Sequence, residues 1–438
     1  MNAFGFAVGA VAILLAGGAS AQTAPLPAPI LSSTTPLSDA VADPAIEAFY
    51  TARAQAPIWL KDEASRAAAG TFLALLRNAD VDGLPNSAAL AANVEAAIGR
   101  GQPQDDKIIS AAWIRYVAAL KAPVRGINYG YPALAPKLLN TEAILAQAAR
   151  ASSLGDYVSS VTTVNGFYAA LRNAAVKLGA TGDPHVRGTL DRLRLVPGTG
   201  RVILVDVANQ QLLMLEDGRT VGSMKVIVGK LSNPTPLIAS EIHYVTFNPY
   251  WHIPEDVAQR KVAPVVLKCG VSYLKAARYQ TLASFGDDNP IDPLTVDWKG
   301  VANGSVQVHI RQLSGPNNMM GAMKFAFAND YGIYLHDTPH KDLFAKAKRN
   351  LSLGCIRLEK PADLARWLLG RDPTPPSAEV ELNVKIDDSV PIYVSYLTAR
   401  PDRDTIAYAD DVYGLDNPGA SPTPKIATAA GNDDNAAQ

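Results

Sequence analysis

Residues 201–229 read RVILVDVANQQLLMLEDGRTVGSMKVIVG, and this stretch decides the fold class of the second half of the chain. Its three apolar runs are rich in Val, Ile, Leu and Met, and turn-forming residues separate them at 208–210 and at Asp217-Gly218. Short β-branched runs with turn residues between them predict neighbouring strands of a meander. Strand patterns recur downstream, which predicts a β-rich domain over residues 201–399; the recurring runs are 306–311, 333–336, 379–386 and 391–397.

Residues 43–182 have a helical pattern instead. In 63–78, EASRAAAGTFLALLRN, apolar side chains that include Phe72 and Leu76 recur on or near one helical face, and Asp82-Gly83 then breaks the pattern. Ala-rich amphipathic patterns continue at 87–100, 105–121 and 165–178. The region has no acid pairs, metal-ligand spacings or phosphate-binding loops. We therefore predict an α+β chain in which a helical scaffold domain precedes the β-rich domain.

Composition limits the possible classes of protein. The chain has 438 residues, of which 48% are hydrophobic and 18% charged, so it is not wholly disordered and is long enough for two to three domains. Its 40 basic and 41 acidic side chains nearly cancel, which argues against a general nucleic-acid binder. Its 2 cysteines cannot form a disulfide framework or a four-thiolate metal site.

The two ends of the sequence differ from the rest. Residues 1–21 combine an apolar, small-residue run with Ala19-Ser20-Ala21, which predicts a cleaved signal peptide and a periplasmic location. Residues 22–42 are Pro-rich and predict an extended linker, and the polar stretch 401–438 predicts a mostly disordered tail. No other stretch is long and apolar enough to cross a bilayer, so we expect no transmembrane anchor after cleavage.

The chemistry is concentrated in residues 331–357, YGIYLHDTPHKDLFAKAKRNLSLGCIR. A predicted strand ends at His336, and Cys355 follows 19 residues later. A neutral thiol is a poor nucleophile, so a catalytic Cys needs a nearby base, and an imidazole suits that role. Gly354 allows close backbone approach, and Arg357 can lower the pKa of a thiol or hold a carboxylate.

Three other interpretations of Cys355 stand beside catalysis. A lone Cys is most often an ordinary buried thiol. His336, His340 and Cys355 could bind zinc, although Pro339 interrupts the spacing of the two imidazoles and no fourth ligand is evident. Cys269 and Cys355 could form a disulfide, which export would permit; we predict instead that they are not bridged and that Cys269 is a half-buried bystander.

The segment resembles the catalytic signature of the L,D-transpeptidase (YkuD) family, in which a His is followed after 14–20 residues by Ser/Thr-x-Gly-Cys-x-Arg. The matching positions are His336, Ser352, Gly354, Cys355 and Arg357. Many members have a second His directly before Gly-Cys, whereas this chain has Leu there. A role for that second His cannot be carried over, and we infer that the leucine contributes packing only.

Other motifs resemble the large, YcbB-like branch of the family: YLHDTP at 334–339, NPYWHIP at 248–254 and GPNNMMG at 315–321. That branch places a helical scaffold domain before the catalytic domain and inserts a capping segment into it. The resemblance therefore implies a β-sandwich catalytic domain at 201–399 with a cap at about 254–300.

The resemblance also implies an activity, the formation of 3→3 cross-links in peptidoglycan. Cys355 would attack the meso-diaminopimelate carbonyl of a donor tetrapeptide stem and release D-Ala, and the side-chain amine of an acceptor stem would resolve the thioester. His336 would act as base and then acid, and no metal or cofactor is needed. Five residues would shape the site or bind substrate: Ser352, Gly354, Arg357, Tyr334 and Trp251.

Two alternative functions remain open. The same Cys355–His336 pair could hydrolyse stems or cross-links as an L,D-carboxypeptidase or endopeptidase. A non-catalytic wall-binding scaffold is the other alternative. A papain-like protease is disfavoured, because that family places its Cys before its His. No feature of the sequence sets the oligomeric state.

Overall fold

The structure is a computed structural model that describes residues 43–137 and 139–416. The predicted signal peptide at 1–21 and the predicted linker at 22–42 lie outside the described residues, as do positions 417–438 of the predicted tail. Among the described residues, no helix combines the length and the apolarity needed to span a membrane.

The helical domain packs around an aromatic core. Trp59, Phe72, Trp113 and Tyr116 are buried together, with ring centroids 5.1–6.2 Å apart. Side-chain caps start several helices because a carboxylate or amide oxygen accepts the first free backbone N–H groups. Its helices are α1 Pro44–Ala52, α2 Glu63–Leu76, α3 Ser87–Arg100, α4 Asp105–Leu120, α5 Thr141–Arg150, α6 Leu154–Thr163, α7 Gly166–Lys177 and α8 Pro184–Leu193.

Helical structure continues beyond the predicted limit at residue 182. Helix α8 buries Val186, Leu190 and Leu193 in the same core as the earlier helices. Helices α5, α6 and α8 were not predicted, because each has only 10 residues and a short apolar stripe. One short strand, β1 Ile127–Tyr129, also lies within this part of the chain.

The catalytic part is built on one ten-stranded sheet. The predicted meander is β2 Arg201–Asp206, β3 Gln211–Glu216 and β4 Arg219–Gly229, paired antiparallel in sequence order. The sheet continues through β5 Leu237–Phe247, β9 Met323–Ala326, β10 Tyr334–His336, β11 Asn350–Ser352, β12 Ile356–Leu358 and β13 Leu382–Ser395. Pairing of β5 with β9 closes it on itself, so the predicted sandwich is one continuous sheet, and the α+β class is confirmed.

Strand β13 replaces two predicted strands. The patterns at 379–386 and 391–397 belong to one strand that pairs with β5 and shifts register between Lys385 and Val390. The intervening Asp387 and Asp388 are exposed in this bulge, which explains why the alternation is interrupted in the sequence. The closing helix α13, Pro361–Leu369, has its C-cap at Gly370 and buries Leu364 and Leu368 against the sheet.

The cap is a small subdomain with its own core. Strands β6 Trp251–Ile253, β7 Tyr279–Leu282 and β8 His309–Gln312 form a sheet in the order β6-β8-β7. The run at 306–311, expected in the catalytic sheet, therefore belongs to the cap. Its helices are α9 Glu255–Val257, a π-helical turn Ala258–Val262, α10 Ala263–Cys269, α11 Ser272–Ala276 and α12 Trp298–Asn303.

Two segments join the helical domain to the catalytic sheet. Strand β1 pairs in parallel with β5, in the register Ile127↔Leu237. Strands β14 Ala399–Asp402 and β15 Thr405–Tyr408 form a hairpin against α7 and α8. The predicted disorder is therefore wrong for residues 401–416, because the hairpin pairs with itself and the segment after it buries Tyr413.

Candidate active site

Strand pairing brings the two predicted reactive residues to one place. Strands β10 and β12 run parallel, with Leu335 opposite Ile356 and His336 opposite Arg357. Cys355 directly precedes β12 and therefore lies beside Tyr334 at the start of β10. The residues between the two strands leave the sheet and return to it through β11. Cys355 and His336 are therefore 19 positions apart in the sequence but lie on neighbouring strands.

His336 is buried and held in one tautomer. Its Nδ1 lies 2.5 Å from the backbone carbonyl of Asp337. A carbonyl only accepts hydrogen bonds, so Nδ1 carries the proton and Nε2 keeps a lone pair for proton transfer. Asp337 is itself fixed, because its carboxylate accepts the N–H groups of Ala322 and Thr338 and pairs with Lys341 at 2.7 Å.

The electrostatics favour an uncharged pair at rest. Burial, and then the positive charge of Arg357, lower the pKa of His336 to about 3. Burial raises the pKa of the Cys355 thiol, although hydrogen bonds from Tyr334 and the charge of Arg357 act in the opposite direction. At neutral pH the site therefore holds a protonated Cys355 thiol, whose Sγ lies 3.8 Å from the Gly332 carbonyl oxygen, and a neutral His336 imidazole.

The loop that carries Cys355, residues 352–355, depends on Gly354. Its φ of +125° is a conformation that side chains with a Cβ avoid. Its N–H donates to the Ser352 hydroxyl at 3.1 Å, and its carbonyl accepts from the Thr235 hydroxyl at 2.7 Å. Ser352 is buried and pairs with Gly229 of β4, so its observed contacts hold the loop in place.

Arg357 and Tyr334 face this site from the same two strands. Burial lowers the pKa of Arg357, and its Nε is buried with no hydrogen-bond acceptor among the described residues. The Tyr334 ring lies 5.9 Å from the His336 ring in an edge-to-face arrangement. Lys324 lies over Tyr334 and pairs with Glu381 at 3.6 Å, so charged groups border the site on this side.

The other residues that the sequence analysis singled out lie away from this site or differ in burial from what was predicted. Trp251 packs on the core of the cap, and His340 is exposed. Leu353 is 48% exposed, so the inference that it contributes packing only is wrong. Cys269 is exposed rather than half-buried, and both cysteines are free. Within 43–137 and 139–416, no group of His, Cys, Asp and Glu is arranged to hold a metal ion.

Three residues that support the site were missed in the sequence analysis. Asp337 fixes His336, Thr235 holds Gly354, and Tyr413 contacts Thr235 from the C-terminal segment. Asp337 could have been found as the neighbour of a catalytic His. Thr235 and Tyr413 are distant in sequence and belong to no motif.

Comparison with known protein families agrees with this geometry. The model of the L,D-transpeptidase catalytic domain, YkuD, matches residues 200–391, and a Scaffold domain model matches residues 44–174. The chain therefore carries an L,D-transpeptidase (YkuD) catalytic domain behind a Scaffold domain. The order of its two domains is the YcbB-like architecture that the sequence resembled.

Individual relatives of this chain are distant in sequence. A Haemophilus influenzae protein named provisionally as an L,D-transpeptidase is 26% identical over 392 residues, which cover 85% of this chain and 78% of that protein. The solved Ldtfm–avibactam carbamoyl enzyme shares 15% identity at a TM-score of 0.23, covering 46% of this chain and 50% of that one. An L,D-transpeptidase from Mycobacterium smegmatis shares 16% identity at a TM-score of 0.22, covering 45% and 60%.

Proposed function

We propose that this protein is a peptidoglycan L,D-transpeptidase that forms 3→3 cross-links through a Cys355 thioester. The main support is the placement of Cys355 beside β10, which ends in His336, within an L,D-transpeptidase catalytic domain. We also propose that it acts in the periplasm, since its first 21 residues have the pattern of a signal peptide.

Acylation begins when Sγ of Cys355 attacks the carbonyl carbon of the third residue of a donor stem, a meso-diaminopimelate. Nε2 of His336 takes the thiol proton as the C–S bond forms, and negative charge develops on the carbonyl oxygen. Collapse of this tetrahedral intermediate breaks the amide bond, and the departing D-Ala nitrogen takes the proton from His336.

Transfer repeats these steps in reverse order. The side-chain amine of an acceptor stem attacks the thioester carbonyl and loses a proton to His336, and the thiolate leaves and recovers that proton. The low pKa of His336 leaves the imidazole neutral before each attack, as a proton acceptor must be. No metal or cofactor is required, since the thioester conserves the bond energy of the cleaved amide.

Arg357, Tyr334 and Trp251 are proposed to contact the substrate. The unpaired Nε–H of Arg357 is available to a stem carboxylate, and bidentate pairing of a guanidinium with a carboxylate is strong in a partly buried site. Tyr334 lies beside both reactive residues and can line the donor cleft. Trp251 would border the cleft from the cap.

Two experiments test this proposal. Purified protein is incubated with tetrapeptide muropeptides, and cross-linked dimers with released D-Ala are expected; tripeptide monomers alone would instead indicate a carboxypeptidase, which uses water as acceptor. Intact mass after incubation with a carbapenem is expected to increase by one adduct, and Cys355→Ala is expected to abolish the increase. A wild-type protein that neither cross-links nor is acylated would favour a non-catalytic wall-binding scaffold.

A further inference from the structure

The C-terminal segment, residues 409–416, reaches the loop that carries the nucleophile. Tyr413 in this segment is 3% exposed, and its ring stacks on Tyr396 with centroids 5.5 Å apart. Its hydroxyl donates to the Gly229 carbonyl at 2.5 Å and accepts the Thr235 N–H at 3.3 Å. One buried hydroxyl therefore bridges the two ends of the turn that connects β4 to β5.

Thr235 extends this contact to the active site. Its side chain is buried, and its hydroxyl accepts the Gly229 N–H at 2.8 Å. The same hydroxyl donates its one proton to the Gly354 carbonyl at 2.7 Å. Each of the two hydroxyls has a single proton to donate, and the two N–H groups can only donate, so the directions of these hydrogen bonds are fixed. The position of Thr235 therefore sets the direction of the Gly354 carbonyl.

The Gly354 carbonyl belongs to the same peptide unit as the Cys355 N–H. The described peptide bonds are all trans, and in a trans unit the C=O and N–H point in opposite directions. A carbonyl held by Thr235 therefore aims the Cys355 N–H away from Thr235. A backbone N–H at the nucleophile is the type of donor that stabilises the oxyanion of a tetrahedral intermediate.

We propose that Tyr413 is a positioning residue for acyl transfer: through Thr235 it holds the Gly354–Cys355 peptide so that the Cys355 N–H meets the developing oxyanion. This proposal rests on the proposed function of the site. The effect of the Tyr413 hydroxyl can be tested apart from the packing of its ring. The Tyr413 backbone N–H donates to the Tyr396 hydroxyl at 3.0 Å, and this contact does not involve the Tyr413 hydroxyl. Asp416 also anchors the segment, through Arg192 at 2.6 Å and His185 at 3.0 Å.

The test compares two reactions of Cys355 in a Cys269→Ser background, which leaves one thiol. Acylation by p-nitrophenyl acetate develops an oxyanion, whereas alkylation by iodoacetamide does not. Tyr413→Phe is expected to slow acylation about 10-fold and to leave alkylation within about 2-fold of the parent, since donors to an oxyanion act on acyl transfer alone. Thr235→Val should reproduce this pattern and Thr235→Ser should restore acylation, because it keeps the hydroxyl.

Tyr116→Phe is the matched control. It also removes a buried tyrosine hydroxyl, which donates to Asp82 at 3.2 Å in the helical domain, and it should leave both reactions unchanged. Equal losses of acylation and alkylation in Tyr413→Phe, or parental acylation in that variant, would overturn the proposal. A failure of the proposed function would give a different result: the parent protein would be acylated by the ester but would transfer no stem peptide.

Discussion

The loop that carries Cys355, residues 352–355, depends most directly on the conformation of Gly354. At its φ of +125°, an added Cβ would lie 3.0 Å from Cδ1 of Ile333, so strain and crowding act together. We expect Gly354→Ala to reduce transpeptidation at least 100-fold while the circular dichroism spectrum stays that of the parent. Gly70→Ala is the control, since a Cβ there meets nothing within 4 Å. Parental turnover in Gly354→Ala would show that the loop tolerates another geometry.

The buried imidazole of His336 makes stability depend on pH with a definite sign. Its pKa is about 3 in the fold and about 6.5 in the unfolded chain, so between these values the unfolded chain binds a proton that the folded chain does not. The free energy of unfolding therefore decreases as pH falls through this window, by about 1.4 kcal/mol per pH unit from this group. Urea denaturation at pH 7 and pH 5 measures this decrease in the free energy of unfolding. It should be about 2 kcal/mol smaller in His336→Gln than in the parent. An identical decrease in both proteins would contradict this account.

At the residue scale, the sequence could point to Cys355 and His336 as a candidate pair but not to the residues that hold them. The pair could be proposed because a thiol nucleophile needs a base, and the motif around the two residues is compact. Thr235 contacts Gly354 across 119 positions, and Tyr413 contacts Gly229 across 184. Such contacts depend on where strands and the C-terminal segment finally lie, which no local pattern encodes.

At the scale of elements, a buried ion pair fixes α7 to the turn after α2. The carboxylate of Asp82 is fully buried and accepts from Arg172 at 2.7 Å and from Tyr168 at 2.6 Å. Arg172→Met would leave this charge without a cation, which costs about 3–5 kcal/mol of unfolding free energy. The exposed pair Arg77–Glu95 is the control, and Arg77→Met should cost less than about 1 kcal/mol. Chemical denaturation measures both, and similar small losses would mean that the buried pair is not needed for stability.

Elements differed in how far the sequence could predict them. The meander of β2 to β4 was recognisable because turn residues punctuate its runs. Strand β1 has only three residues and no alternation, and its partner Leu237–Ala239 lies more than 100 positions away. The C-terminal hairpin was mistaken for disorder because its strands are short and mostly exposed. Within residues 401–416 only Tyr413, which follows the hairpin, is fully buried.

At the scale of the whole molecule, the helical and catalytic parts are joined by backbone as well as by side chains. Beside β1, Gly130 lies so close to the catalytic part that an added Cβ would be 1.7 Å from the Ala328 carbonyl oxygen. Only a residue without a side chain allows this approach, so the segment cannot keep its pairing with β5 once a Cβ is present.

We therefore expect Gly130→Ala to loosen the contact between the two parts without unfolding either one. Calorimetry of the parent should give one transition, because β1 and the C-terminal hairpin couple the domains, and the variant should give two resolved transitions or one broadened transition. Gly155→Ala is the control, because a Cβ there meets nothing within 4 Å, and it should keep the single transition. A single sharp transition in Gly130→Ala would mean that the hairpin and Asp416 suffice to couple the domains, and Asp416→Asn in the same background should then separate them, since it removes the pair with Arg192.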